Sequence, residues 1–185
     1  MTPRTILYER EALQLRYDLG PSRAEEIVPA ISLHQPWASW VAMGWKTIET
    51  RSHNRFASLV GKRVAIHAAR TWDASSLGTA EEYLAPERID LHGRLAAAWG
   101  RPGGYPQGEL VCVAKIDRAG PMEWPGDARM ALCDFQGRVG YRLADVSPLP
   151  AGLVANGCQG IFYVSLPELW VRQLPLPLFA AESPA

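Results

Sequence analysis

Residues 31–51 read ISLHQPWASWVAMGWKTIETR and carry three tryptophans together with a GxKxxExR motif at positions 44–51. Within this stretch Pro36 suits the first position of a helix, because its missing N–H would be unpaired there anyway. Two tryptophans and a valine then recur at helical spacing, and Gly44 suits a left-handed helix end. The pattern therefore predicts a short helix over 36–43 that ends at Gly44.

A strand is predicted directly after this helix, over residues 47–51, where β-branched residues alternate with charged ones. The two-residue period of a strand places Glu49 and Arg51 on one face, and Lys46 lies at the helix–strand junction. Three charged side chains that follow a glycine and an aromatic patch are typical of a binding groove. We therefore expect Lys46, Glu49 and Arg51 to line a cleft.

The rest of the chain adds strands and a helical segment. Apolar runs predict strands at 29–33, 61–68, 108–116, 139–143 and 160–166. A capping box at 79–82 and an apolar pattern over 87–99 predict helices. Because helices do not alternate strictly with strands, a doubly wound sheet is disfavoured. The order favours a mixed α+β domain with a small, partly closed barrel.

The length of 185 residues suffices for one sizeable core and is short for two. We predict an N-terminal extension over 1–28 and one domain over 29–172. A helical insertion at about 71–105 interrupts that domain, and a flexible tail rich in proline and alanine follows over 173–185.

Charge argues against a protein held to nucleic acid by attraction over its whole surface, because the formal net charge is zero. Residues 45–70 nevertheless carry six positive side chains and one negative. These residues form either a local basic face for phosphate or the solvated faces of unrelated strands.

The sequence lacks the features that indicate membrane insertion, secretion or a structural metal. No apolar run is long enough to span a bilayer, and the N-terminus has no apolar signal core. The three cysteines are scattered and form no C-x-x-C pair, which argues against structural zinc and against disulfides. We expect a cytoplasmic protein that does not bind membranes and holds neither a metal nor a cofactor.

The QPWA run at 35–38, joined to the GxKxxExR motif at 44–51, resembles the signature of the ASCH domain family, which belongs to the PUA-like superfamily. Segments that resemble later strands of the family lie at 64–68, 108–113, 141–146 and 157–162. The resemblance covers roughly residues 29–170. It implies a PUA-like α+β fold, a small mixed β-barrel with peripheral helices, whose cleft is lined by the motif and receives RNA or modified nucleobases.

One branch of this family hydrolyses N4-acetylcytidine with a lysine, a threonine and a distant glutamate. In this chain Lys46 matches the lysine, whereas Glu49 stands where that branch has threonine. The distant glutamate has no assigned counterpart in the sequence. The resemblance thus implies nucleotide-like ligands and leaves both binding and hydrolysis open.

Each motif residue has a functional and a structural interpretation. Lys46 can contact a phosphate or carbonyl, or act as a base if its pKa is lowered; otherwise it is a solvated lysine. Glu49 can accept hydrogen bonds from a base edge or activate water, or it only orders the turn through an ion pair. Arg51 can grip a phosphate or stack on a base, or it braces Glu49.

Three further residues are candidate ligand contacts. Gln35 precedes the helix and either contacts the ligand or caps the helix. Trp45 follows Gly44 and either offers a stacking surface for a base or packs in the core. His67 shares a strand face with small neighbours, which leaves room for a ligand, although a hydrogen-bonded structural histidine is the common alternative.

The leading functional hypothesis is an RNA- or nucleotide-binding protein that uses the cleft of Lys46, Glu49 and Arg51. A second hypothesis is a hydrolase, either an amidohydrolase acting on N4-acylated cytidine or a related nucleoside with Lys46 and Glu49 as catalytic residues, or a nuclease. A third is a protein interaction domain in transcription or translation. The sequence fixes neither the ligand nor the oligomeric state.

Overall fold

The computed structural model describes residues 25–73, 80–99, 103–122, 125–133 and 137–172. The strands are β1 (Glu25–Gln35), β2 (Ile48–Arg51), β3 (Arg63–Trp72), β4 (Glu109–Pro121), β5 (Val139–Pro148) and β6 (Ile161–Pro167). The α-helices are α1 (Trp37–Ala42), α2 (Pro86–Ala97), α3 (Pro125–Ala131) and α4 (Glu168–Arg172), and a 3-10 helix covers Arg55–Leu59.

The six strands form one mixed sheet in the order β2-β5-β4-β3-β1-β6. Strand β1 runs parallel to β3, and every other neighbouring pair is antiparallel. The mixed α+β class predicted from the sequence is therefore confirmed at the level of one mixed sheet with few helices. The barrel is not, because among the described strands β2 and β6 lie at opposite edges of an open sheet.

Both faces of the sheet carry apolar side chains, because alternate residues of the central strands pack on opposite sides. In β3, Val64 and Ile66 belong to the larger core cluster, which also holds the tryptophans of α1. Ala65 belongs to a smaller cluster on the other face, with Leu110 and Val113. The central position of β1, β3 and β4 follows from this burial on both faces.

Helix α1 is specified locally, as the sequence predicted. At its start the Gln35 side-chain Oε1 accepts a hydrogen bond from the Ser39 backbone N–H at 3.2 Å. At its end Gly44 has φ +70°, a left-handed conformation that glycine adopts without steric cost. Trp40 and Val41 face inward and are fully buried, so the helix is anchored on the larger core cluster.

Most predicted strands are present but longer than their apolar runs. Strand β4, for example, continues five residues beyond 116, and β1 begins at residue 25 rather than 29. Three short helices escaped sequence analysis: the 3-10 helix, α3 and α4. The start of the capping box at 79, most of the 1–28 extension and the whole tail at 173–185 lie outside the described residues. In the described part of the chain, no helix has the length and apolar character that crossing a membrane requires.

Two glycine substitutions separate backbone strain from loss of contacts. A Cβ at Gly44 or at Gly93 of α2 meets no heavy atom within 4 Å, but only Gly44 has a positive φ. We expect Gly44→Ala to lower the free energy of unfolding by about 1 kcal/mol. Gly93→Ala, the control, should raise it by about 0.5–1 kcal/mol, because alanine is the better helix former. Urea denaturation measures both, and an unchanged stability of Gly44→Ala would contradict the assigned conformation.

Candidate ligand-binding cleft

A cleft of about 100 Å³ brings the three charged residues of the motif together. It opens beside β1 and β2, next to the start of helix α1. Its lining residues are Leu33, His34, Trp37, Lys46, Glu49, Thr50, Arg51, Asp73, Cys133 and Arg138. The convergence of Lys46, Glu49 and Arg51 that the sequence predicted is thus present in the structure.

Glu49 is the centre of this charge arrangement. Its carboxylate Oε2 lies 3.7 Å from Lys46 Nζ, and its Oε1 lies 3.3 Å from Arg51 Nη2. The alternation of β2 puts Glu49 and Arg51 on the same face, while Lys46 reaches Glu49 from the turn before the strand. The three side chains form one chain of ion pairs, cation–anion–cation.

Lys46 is almost completely buried, at 3% exposure. Its ammonium group donates a hydrogen bond to the Ala131 carbonyl of α3 and lies 5.2 Å from the ring centroid of Trp37. Burial lowers the pKa of Lys46, and the attraction of Glu49 opposes that effect only in part. A desolvated lysine beside a charged partner in a cleft is the combination common at functional sites.

Arg51 is the most accessible member of the three, with 28% of its side chain exposed. Its Nη2 donates to the Ser32 carbonyl at 3.1 Å, and its guanidinium lies 5.4 Å from the Phe56 ring centroid. Within the described residues its Nε is buried and has no hydrogen-bond partner. The Nε–H of Arg51 is therefore an unsatisfied donor inside the structure.

Trp37 lines the cleft and at the same time belongs to the larger core cluster. Its indole packs against the larger core cluster, and its Nε1–H donates to Asp73 Oδ2 at 3.1 Å. Asp73 follows directly after β3, so the parallel pairing of β1 with β3 brings it beside the start of α1. The same ring system thus contributes to the core and to the cleft lining.

Thr50, Cys133 and Arg138 complete the cleft, and sequence analysis missed all three. Arg138 donates from Nε to Thr50 Oγ1 at 2.9 Å and from Nη2 to the Thr50 carbonyl at 3.1 Å. Cys133 Sγ lies 3.5 Å from the same Thr50 hydroxyl. No local pattern marks Cys133 or Arg138, because each reaches the cleft only through tertiary contacts far apart in sequence.

Three predicted ligand contacts are not among the residues that line this cleft. Gln35 is fully buried and donates to Ser39 Oγ at 2.8 Å and to the Pro106 carbonyl at 2.9 Å, so its amide serves the fold. Trp45 packs beside Trp40, with ring centroids 6.0 Å apart. The ligand roles predicted for both residues have no support in this geometry.

His67, the third of these residues, points to the opposite face of the sheet. Its Nδ1 lies 3.0 Å from Ser32 Oγ, and its Nε2 lies 3.1 Å from the Ala155 carbonyl. A carbonyl only accepts, so Nε2 carries the proton and Nδ1 accepts from the serine. Burial lowers the pKa of His67, which favours this neutral form. The hydrogen-bonded structural interpretation fits His67 better than a ligand contact.

Comparisons with known proteins identify the family. A family profile described as the ASCH domain matches residues 31–124, slightly more than half of the chain. Similar solved structures include the ASCH protein from Zymomonas mobilis, with 14% identity, a TM-score of 0.42 and coverage of 74% of this chain and 86% of that chain. A serine-to-alanine mutant of the Zymomonas mobilis protein has 16% identity and a TM-score of 0.44, with coverage of 78% of this chain and 91% of that chain. No curated protein matches the chain.

The lowered pKa of Lys46 predicts a pH-dependent stability. Between that lowered value and 10.5, the value for an unperturbed lysine, the unfolded chain binds more protons at this position than the folded chain. Stability contributed by Lys46 therefore rises with pH across this window. The free energy of unfolding of wild type minus that of Lys46→Met should therefore increase as the pH rises across this window. The total increase should be about 1.4 kcal/mol for each unit by which the pKa is lowered. Urea unfolding at a series of pH values measures it.

The matched control for this experiment is Lys62→Met, which removes an exposed lysine. Its stability difference from wild type should stay flat over the same pH range. A difference for Lys46→Met that shrinks as the pH rises would show that Glu49 holds Lys46 as a cation and would contradict the assignment.

Proposed function

The chain belongs to the ASCH domain family, and on that premise we propose that its cleft binds RNA through one nucleobase, or a free nucleotide. The observation that carries the proposal is the convergence of Lys46, Glu49 and Arg51 beside the ring of Trp37. These groups offer hydrogen-bond donors, an acceptor and an aromatic surface within one small space. That is the set of contacts that a base edge requires.

The size of the cleft limits what enters it. A closed cavity of about 150 Å³ is enough to hold benzene, and this cleft has about 100 Å³. One edge of a single ring fits, whereas the sugar and phosphate stay outside. Arg138, which lies at the cleft and is exposed, is placed to meet that outer part. We expect a base-in, phosphate-out orientation.

Within this orientation each motif residue has a role. Glu49 accepts hydrogen bonds from an amine or ring N–H of the base. Lys46 donates to a carbonyl or ring nitrogen, and Arg51 contacts the base or the phosphate with the exposed part of its guanidinium. A protein interaction domain does not require a cleft, so the position of these residues in a cleft favours a ligand site. Their ion pairs with each other would suit either function.

Variants of the motif test binding directly. Arg51→Ala should weaken binding of a fluorescently labelled hairpin RNA of mixed sequence by roughly 1.5–3 kcal/mol, the range for a hydrogen bond to a charged group. Lys46→Met and Glu49→Gln should weaken it further, because both lie at the closed end of the cleft. If Arg51 contacts a phosphate, the salt dependence of log K should flatten by about 0.7. Fluorescence anisotropy at several salt concentrations measures affinity and slope.

Arg94→Ala is the matched control, because it removes the same charge from an exposed position on α2. It should leave both affinity and slope close to wild type. Equal effects of Arg51→Ala and Arg94→Ala would indicate attraction by net charge alone. Motif variants that fold and bind RNA as wild type does would reject the proposal.

Hydrolysis is a second candidate, favoured by one observation: burial lowers the pKa of Lys46 beside a carboxylate. A lysine whose pKa is lowered is deprotonated more readily, so it can act as a general base or nucleophile. Glu49 would orient it or activate water. The candidate substrates are N4-acylcytidines and related nucleosides, with RNA cleavage as the nuclease alternative.

Incubation of the protein with a panel of N4-acylcytidines, followed by chromatography, tests this candidate. An active protein should release cytidine, and Lys46→Met should reduce the rate by a factor of about 100 or more. The same labelled RNA, examined on a denaturing gel after incubation, reports nuclease activity. No product from wild type in either assay would leave binding as the function of the cleft.

A further inference from the structure

Four cationic side chains lie together on the sheet and take no part in the cleft. They belong to three neighbouring strands and are Arg63 of β3, Lys115 and Arg118 of β4, and Arg142 of β5. We call this set the basic band. Arg118 and Arg142 are exposed, and the other two are partly exposed.

The basic band occupies the face of the sheet opposite the larger core. Both strand neighbours of Arg142 and both strand neighbours of Lys115 are buried in the larger core cluster. The alternation of side chains therefore points Arg142 and Lys115 the other way. Glu49 is in register with Tyr141, a member of that cluster, so Glu49 and Arg51 of the cleft lie on the core face, whereas Thr50 between them points to the other face. The basic band and the ion-paired side chains of Glu49 and Arg51 are therefore on different sides of the sheet.

Like charges face each other across the strands of the band. Arg63 is directly opposite Lys115, and Arg118 is directly opposite Arg142. Such pairs destabilise a sheet unless an opposite charge lies nearby. In the part of the chain that the structure describes, no carboxylate forms an ion pair with any of the four, and Arg63 Nη1 is buried without a hydrogen-bond partner.

Two acidic residues lie near the band, and neither neutralises it. Asp117 and Asp145 each fall where the pairing of β4 with β5 shifts register. Neither is joined to the four cations by an ion pair within the described residues. The four cations outnumber these two carboxylates, so this face carries a local excess of positive charge in a protein of zero net charge, which favours contact with a polyanion.

We propose that the basic band binds the phosphate backbone of single-stranded RNA. The band crosses three strands, which separates its outer strands by about 10 Å. Two apolar clusters border it on the same face, one around Ile48 and Met122 and the other around Ala65 and Val113. A narrow row of cations between two apolar clusters matches a flexible chain of phosphates, whereas a flat bilayer surface would need a broad basic face. The proposal does not depend on what the cleft binds.

The test uses the full chain and a fluorescein-labelled single-stranded RNA of mixed sequence. The double variant Arg118→Gln/Arg142→Gln removes one opposed pair and keeps the side chains polar. Its affinity for the RNA should fall by about tenfold, and the slope of log K against log salt should flatten by about 0.7 for each lost contact. Its melting temperature should equal or exceed that of wild type, because the repulsion between the two arginines is gone.

The control is Arg88→Gln/Arg94→Gln, which changes the net charge equally on helix α2. It should leave RNA affinity and slope unchanged. An equal loss in both double variants, or no loss in the first, would overturn the proposal. Binding to phosphatidylserine vesicles that depends on Arg118 and Arg142, with unchanged RNA binding, would overturn it in favour of a membrane surface.

The cleft and the basic band can be told apart in the same assay. Binding of a nucleoside monophosphate, measured by calorimetry, should respond to Lys46→Met and not to Arg118→Gln/Arg142→Gln. Loss of RNA binding only in the cleft variants refutes the basic band and leaves the cleft proposal intact. Loss only in the band variant refutes the cleft as an RNA site and supports the band.

Discussion

The cleft depends on one buried arrangement, the carboxylate of Glu49 between the cations of Lys46 and Arg51. Lys46 and Glu49 are nearly inaccessible to solvent, so loss of Glu49 leaves the buried ammonium of Lys46 without its carboxylate. That typically costs about 3–5 kcal/mol, a large part of the roughly 5–15 kcal/mol that stabilises a domain. Because Lys46 also donates to the Ala131 carbonyl, the same arrangement joins β2 to α3.

This pairing also determines how a ligand is received. Lys46 and Glu49 are held in place before anything binds, so the entropy of ordering them has already been lost. A ligand has to exchange with existing contacts at the closed end of the cleft, whereas the partly exposed side chain of Arg51 can be reached directly. The cleft is thus preorganised, narrow and polar, which favours recognition of a few atoms over capture of a large group. The basic band has the opposite character, because its cations are exposed or partly exposed and none forms an ion pair within the described residues.

Prediction from sequence succeeded where local chemistry decides the conformation. Helix α1 and its end at Gly44 follow from the spacing of tryptophans and from the freedom of glycine at positive φ. The strands followed from apolar runs buried on one or both faces. Helix α3 escaped prediction because its seven residues have no apolar period; it packs through Ala131 against Ile48 and Met122 instead. The expected barrel closure is equally non-local, since it depends on how the edge strands meet.

The sequence by itself determined that Lys46, Glu49 and Arg51 belong together, because a helix end and the two-residue period of a strand fix their spacing. Only the tertiary structure decided the rest of the cleft. Asp73 arrives through the parallel pairing of β1 with β3, and Arg138 arrives by bonding to Thr50 across 88 positions of sequence. The basic band likewise exists only through strand register, which places cations far apart in the chain directly opposite each other. Local periodicity carries no information about such register, because it is set by which strands the whole core brings together.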